Sequence, residues 1–245
     1  MDATRQILLD NAKRVFDSVA DCCASCGRQP EDVKVIAVTK YVDTAISRLL
    51  AEVLGELVGQ SHPVILGENR PQLLLEKKLD WQDGPRVEWH LIGQLQSNKI
   101  KKVVGQVEMI HSLDRIELLE KLEHHAANAN LDVNVLLEIN ISGDANKHGL
   151  VEADFESIVD VASGLERIRL CGLMGMGGLE STPEQTKRQF QNLALSLLLI
   201  GQRLPENDRS RFSQLSMGMS DDMALAIEAG STMVRIGSAF FKGLR

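Results

Sequence analysis

Residues 33–40 read VKVIAVTK, an apolar run that ends in a lysine. A strand buried on both faces gives Val and Ile almost without interruption, as a parallel sheet requires. A lysine at the C-terminal end of such a strand, here Lys40, stands at the mouth of an α/β core. Partial desolvation at that place disfavours an ammonium. The free amine is the form that attacks a carbonyl and condenses to an imine. Read alone, the stretch also fits a lysine that extends from a strand end into solvent.

The pattern continues on both sides. Residues 3 to about 26 have helical spacing, with Ile7, Leu8, Val15 and Val19 in phase and Gly27 and Pro30 closing the segment. After Lys40, Asp43 or Thr44 opens a helix whose Ile46, Leu49, Leu50, Val53, Leu54, Leu57 and Val58 keep an i, i+3, i+4, i+7 pattern. Further strands are expected at 64–66, 87–92, 108–111, 133–141, 168–173, 211–215 and 233–236. Between them, helices are expected at 70–79, from a Ser97 or Asn98 cap, from an Asp114 cap to about 128, and at 152–163, 183–203 and 221–229. On the long helix, Phe190, Leu193, Ala194, Leu197 and Leu198 should share the buried face. Eight strands alternating with helices predict a parallel sheet covered by helices, closed as a single (β/α)8 TIM-type barrel. No GxGxxG follows the first strand, which lowers the dinucleotide-binding alternative. No linker or composition shift divides the chain, so one domain spanning 1–245 is expected.

Composition narrows the function. Hydrophobic residues make up 44% and charged residues 25% of 245, enough for a large core. A net charge of -7 without a long basic tract argues against nucleic acid as the main partner. No apolar run is long enough to span a membrane, and the opening MDATRQILLDNAKRVF lacks a signal-peptide core, so a cytoplasmic location is expected. Cys23 and Cys26 form a CxxC beside Cys22, but inside a helical pattern and with no second pair at zinc spacing. These three and Cys171 are read as reduced thiols, and no metal site is expected.

In a barrel the site lies where the strands end. That nominates Lys40, the GENR run at 67–70, Gly93 and Gln94, Ser112, and the loops at 142–149, 174–178, 217–220 and 237–238. The last two are the most informative. In LSMGMSDD, Ser220 reads as the N-cap of a helix whose first amides favour an anion. In RIGSAF, the amides of Gly237 and Ser238 follow the final strand, and glycine allows close approach. Barrels often bind phosphate with these two loops. Asp221 and Asp222 would repel a phosphate unless their carboxylates face away. An imine-forming lysine and a phosphate cup at one barrel mouth fit an aldehyde that carries a phosphate. Pyridoxal 5'-phosphate (PLP) is the commonest such cofactor, with sugar phosphates the rival.

Several runs resemble one family: AVTK at 37–40, GEN at 67–69, HLIGQLQSNK at 90–99, SLDR at 112–115, INISGDANKHGL at 139–150, GLM at 172–174 and LSMGMSDDMALAIEAGSTMVRIGSAFF at 215–241. In order and spacing the chain is similar to the PLP homeostasis proteins, the YggS-like or PROSC group. The resemblance implies a barrel like the N-terminal domain of alanine racemase, with PLP held as an imine on Lys40. It implies Ser220, Gly237 and Ser238 at the phosphate, Arg235 facing the ring and Asn69 near it. It implies a role in vitamin B6 and amino-acid homeostasis without an established catalytic reaction. The stretches around 58–64, 70–73 and 172–178 depart from the family pattern.

An arginine at the pyridine nitrogen donates a hydrogen bond and stays charged, so the ring becomes a poor electron sink. Pairing of Arg235 with Asp221 or Glu228 is the plainer alternative. A racemase needs a second acid–base group opposite the lysine. Tyr41, the single tyrosine, neighbours Lys40, and side-chain alternation along a strand would turn it to the other face. His90, His111 and His148 are substitutes, the first two reading as core or rim residues. Nine residues follow Ile236, so no second domain supplying that group is expected. Three readings follow: a PLP carrier or regulator, which is favoured; a small PLP-dependent amino-acid racemase; and an aldolase-like barrel using Lys147. As a carrier, the protein would pass PLP to amino acids or to PLP-dependent apoenzymes. Lys99, Lys101, Lys102 and Lys147 read as a basic rim or as solvated surface. A closed barrel exposes no sheet edge, so a monomer is expected.

Overall fold

The computed structural model describes residues 2–59, 63–81, 83–144, 148–178 and 180–244. Lys147 therefore lies outside the described residues. Eight parallel strands close into a barrel in sequence order. They are β1 (Lys34–Val38), β2 (Val64–Glu68), β3 (Val87–Leu91), β4 (Met109–Leu113), β5 (Val133–Glu138), β6 (Ile168–Met174), β7 (Gln214–Ser216) and β8 (Met233–Ile236). The barrel closes where β1 pairs with β8, in the register Ile36 opposite Arg235 and Ala37 opposite Ile236.

Period-two alternation divides the core. Ile36, Ile65, Met109, Leu136, Met174 and Met233, from six different strands, pack together as a core separate from the main one. Intervening positions such as Ala37, Leu66 and Leu137 join the larger core beneath the helices. Those helices are α1 (Asp2–Ser25), α2 (Thr44–Val58), α3 (Pro71–Leu79), α4 (Ile100–Val103), α5 (Ile116–Ala129), α6 (Phe155–Ala162), α7 (Pro183–Gly201), α8 (Glu206–Arg209) and α9 (Met223–Glu228). None in the described residues is long and apolar enough to cross a membrane.

Local chemistry sets several helix starts. Asp43 caps α2, its Oδ1 accepting from the Ile46 amide at 2.8 Å. Thr182 and Gln185 form a capping box at α7, with Pro183 at its first position. Helix α1 precedes the barrel and ties its ends together. Asn11 Nδ2 donates to the carbonyls of Phe240 (3.0 Å) and Lys242 (2.8 Å).

Other expected starts are corrected. Ser97 lies inside a short 3-10 turn, and neither it nor Asn98 caps α4. Arg115, not Asp114, precedes α5; the Asp114 carboxylate instead accepts from Arg115 at 2.5 Å. Ser220 is not the cap of α9, which begins after Asp222. Leu198 is 60% exposed, and the buried face of α7 runs instead through Phe190, Leu193 and Ile200. The strand expected at 211–215 begins only at Gln214, because α8 and its turn occupy the preceding residues.

Gly172 sits where the β5–β6 register shifts, at φ +149°. A Cβ there would collide with the Gln214 carbonyl oxygen of β7. Gly172→Ala is therefore expected to destabilise the barrel by about 3 kcal/mol or more, read as a lower urea midpoint. An unchanged midpoint would show that this seam can relax.

Candidate functional site

A cleft of about 1250 Å³ opens at the C-terminal ends of the strands. Its lining includes Lys40, Asn69, Ser220, Arg235, Gly237 and Ser238. The start of α1, through Thr4 and Ile7, and the C-terminal turn, through Phe241 and Leu244, add an apolar wall.

Lys40 stands two residues beyond β1 in a turn closed by Val42 N–H donating to Thr39 O at 3.1 Å. Its Nζ lies 4.8 Å from the centroid of the Tyr41 ring, a cation–π contact. Tyr41 is 86% exposed and lines the same cleft. The strand has already ended at Val38, so alternation does not send Tyr41 to the opposite face as expected. Asn69, just after β2, has its Oδ1 buried without a hydrogen-bond partner in the chain.

Arg235 on β8 is buried at the cleft floor. Its Nη1 donates to Ser216 O and Ser216 Oγ, both at 2.7 Å, and Nη2 donates to Gly175 O at 3.0 Å. These acceptors are neutral, and the rest of the guanidinium's donors remain for a ligand. Burial pulls its pKa down to about 10, against the opposing charges of Asp222 and Glu138, so it is charged at neutral pH. The pairing considered with Asp221 or Glu228 does not form. Glu228 instead accepts from Lys187 at 2.7 Å.

A polar chain continues from Arg235 through the barrel interior. Ser216 Oγ accepts from Arg235, so its own proton goes to His111 Nδ1 at 2.9 Å. His111 then carries its proton on Nε2 and donates to His90 Nδ1 at 2.9 Å. His90 is left with a protonated Nε2, 3.9 Å from Glu88 Oε2. Both rings are neutral. Burial, then Lys34, lowers the His90 pKa to about 3; burial, His90 and Arg235 hold His111 well below its ordinary value.

The two loops proposed for phosphate meet here. After β7, the Met219 amide donates to Asp222 Oδ1 at 2.6 Å, which engages that carboxylate within the loop and leaves Ser220 exposed. After β8, the carbonyls of Gly237 and Ser238 accept from the Phe240 and Phe241 amides at 3.1 and 3.2 Å, starting a turn. Asp221 is exposed on the cleft wall.

The family profile "Alanine racemase, N-terminal domain" matches residues 32–244. The "Pyridoxal phosphate homeostasis protein" of Vibrio alginolyticus is 37% identical over 218 residues, 88% of each chain. The chain belongs to the pyridoxal phosphate homeostasis protein family. Its Escherichia coli K12 member is 36% identical over 94% of both chains. Among solved structures, PipY of Synechococcus elongatus with PLP bound superposes at a TM-score of 0.76 and 31% identity, covering 91% of this chain and 99% of PipY.

The cleft thus gathers every residue that the family resemblance nominated. Gly93, Met176 and Met219 of the other nominated strand ends line it as well, but several candidates lie elsewhere. Lys99, Lys101 and Lys102 are absent from its lining, and His148 lies 3.6 Å from Asp114 on the exposed surface. His90 and His111 are core residues, as expected of histidines in strands. Ser112 is buried and donates to Gly93 O at 2.6 Å. Ser216 and Glu138 were not anticipated, although a polar residue on an inward-facing strand position is itself a signal.

Glu138, at the end of β5, is buried, and burial together with Asp114 raises its pKa from 4.5 to about 7, against the pull of Arg235. Between those values the folded chain binds more protons than the unfolded one. Its contribution is therefore present at the acid end and lost as pH rises through about 7. From pH 5 to pH 8 the protein is expected to lose roughly 3 kcal/mol that Glu138→Gln does not lose. Urea midpoints of the two proteins across that range check this, and parallel profiles would refute it.

Proposed function

We propose that this protein binds PLP covalently on Lys40 and serves vitamin B6 and amino-acid homeostasis as a carrier or regulator, without a catalysed reaction of its own. Residues 1–245 are read as one PLP-binding barrel domain, monomeric and cytoplasmic. The supporting observation is the convergence, in one cleft, of an amine, a buried arginine and two serine-bearing loops, in a member of the homeostasis family.

The residues fit the group. When bound, PLP supplies an aldehyde that condenses with a primary amine. Lys40 is the one lysine lining the cleft among the described residues. The unpartnered Oδ1 of Asn69 suits a ring hydroxyl, and the uncommitted donors of Arg235 suit a ring nitrogen. The hydroxyls of Ser220 and Ser238 and the amides of Gly237 and Ser238 suit a phosphate. A charged arginine at that nitrogen withholds a proton from it, which favours holding the cofactor over turning an amino acid over.

Amino acids and the lysines of PLP-dependent apoenzymes are the proposed recipients, reaching Lys40 past the exposed Tyr41. The racemase reading requires an acid–base group across the ligand from Lys40. Tyr41 flanks the lysine on its own turn, which gives that reading weaker support.

Purified protein mixed with PLP should develop an imine absorbance. Borohydride reduction and peptide mapping should then place the label on the Lys40 peptide, and Lys40→Ala should abolish it. With an amino acid in deuterated solvent, no α-proton exchange above background is expected. A protein that stays colourless with excess PLP sinks this reading, and rapid exchange replaces it with the racemase.

A further inference from the structure

The most enclosed ion pair among the described residues does not line the cleft. Lys77 Nζ lies 2.6 Å from Glu68 Oε1, with side chains 6% and 0% exposed. Glu68 ends β2, and Lys77 lies in the last turn of α3. Both partners converge on Thr39, the residue before Lys40. Lys77 Nζ donates to the Thr39 carbonyl at 2.8 Å, and Thr39 Oγ1 donates to Glu68 Oε1 at 2.6 Å. Lys77 also donates to Ser47 Oγ of α2 at 3.0 Å. The other carboxylate oxygen, Glu68 Oε2, is buried without a partner.

Stability does not account for this arrangement. Burying two charges carries a desolvation penalty that an apolar pair of similar volume avoids, and here one carboxylate oxygen is left unsatisfied. What the pair does achieve is geometric. It holds Thr39 by both its hydroxyl and its carbonyl, and Glu68 is bonded directly to Asn69. Lys40 and Asn69 are thus each the next residue after one that this cluster grips.

We propose that the Glu68–Lys77 pair is the positioning device for the PLP lysine: it fixes the turn from which Lys40 enters the cleft, and the placement of Asn69 beside it. The inference rests on the reading of Lys40 as the attachment site.

The test removes both charges together, as Glu68→Met with Lys77→Met, so that neither is left buried alone. Thermal stability should equal or exceed the parent's. Attachment of added PLP, in which Lys40 Nζ replaces the aldehyde oxygen and one water leaves, should slow about tenfold or more by absorbance. Hydrogen exchange at the Thr39 and Lys40 amides should quicken. Thr39→Val, which deletes one of the bonds, should slow attachment about threefold. Parent-like attachment in the folded double variant overturns the proposal. If that variant does not fold, parent-like attachment in Thr39→Val overturns it instead. If the parent itself takes up no PLP, the cofactor reading falls. The positioning claim is then decided by exchange at Thr39 and Lys40, and an unchanged rate in the variants refutes it.

Discussion

The pairing of the first strand with the last makes the site. Residues that are almost the whole chain apart, Lys40 and the Gly237–Ser238 loop, meet because β1 lies against β8 with Ala37 opposite Ile236. The same register sets Arg235 opposite Ile36, so pleat alternation carries the guanidinium to the barrel interior, on the face that Ile36 shares. A contact of this sequence separation carries a high loop-closure entropy, and the rest of the barrel must be in place to support it. Two ties outside the sheet reinforce it. Asn11 of α1 holds the turn after β8, and Arg28 donates to the carbonyls of Ile227 and Ser231 at 2.8 and 2.7 Å. Helix α1 is thus a clamp across the seam and, through its first turn, a wall of the cleft.

Much of this was legible in the sequence because it is encoded locally. Apolar runs give the eight strands, and a barrel places its chemistry after them. Lys40 and the two terminal loops could therefore be nominated without contacts. The failures have physical causes. Ser220, Asp114 and Ser97 are good capping residues, but a cap is decided by where the amides fall. Around α9 the Met219 amide is taken by Asp222, which moves the helix start past Ser220. Strand alternation does not reach Tyr41, because the strand ends at Val38 and the chain turns there. Glu68 read as loop, whereas β2 runs through it and delivers its side chain to Lys77. Lys77 itself falls among ordinary polar helix positions, and nothing local marks it as buried.

The polar chain under the cleft has a direction, and the direction follows from Arg235. A guanidinium only donates, so Ser216 Oγ must accept from it and pass its proton onward. His111 and His90 are thereby fixed as Nε2–H tautomers, each accepting from the cleft side and donating toward Glu88. Were either ring protonated, a nitrogen that must accept would become a donor facing a donor. The low pKa values of both histidines agree with that geometry. A fully apolar barrel core would avoid the desolvation this chain requires. What the chain provides in return is orientation. Arg235 lines the cleft and is held by acceptors that are all neutral, so no contacting carboxylate offsets its charge. The cation at the floor is thus built from inside the barrel, whereas the amine at the mouth is set by a cluster behind the strands. The two are positioned by separate networks, and only the β1–β8 seam brings them together.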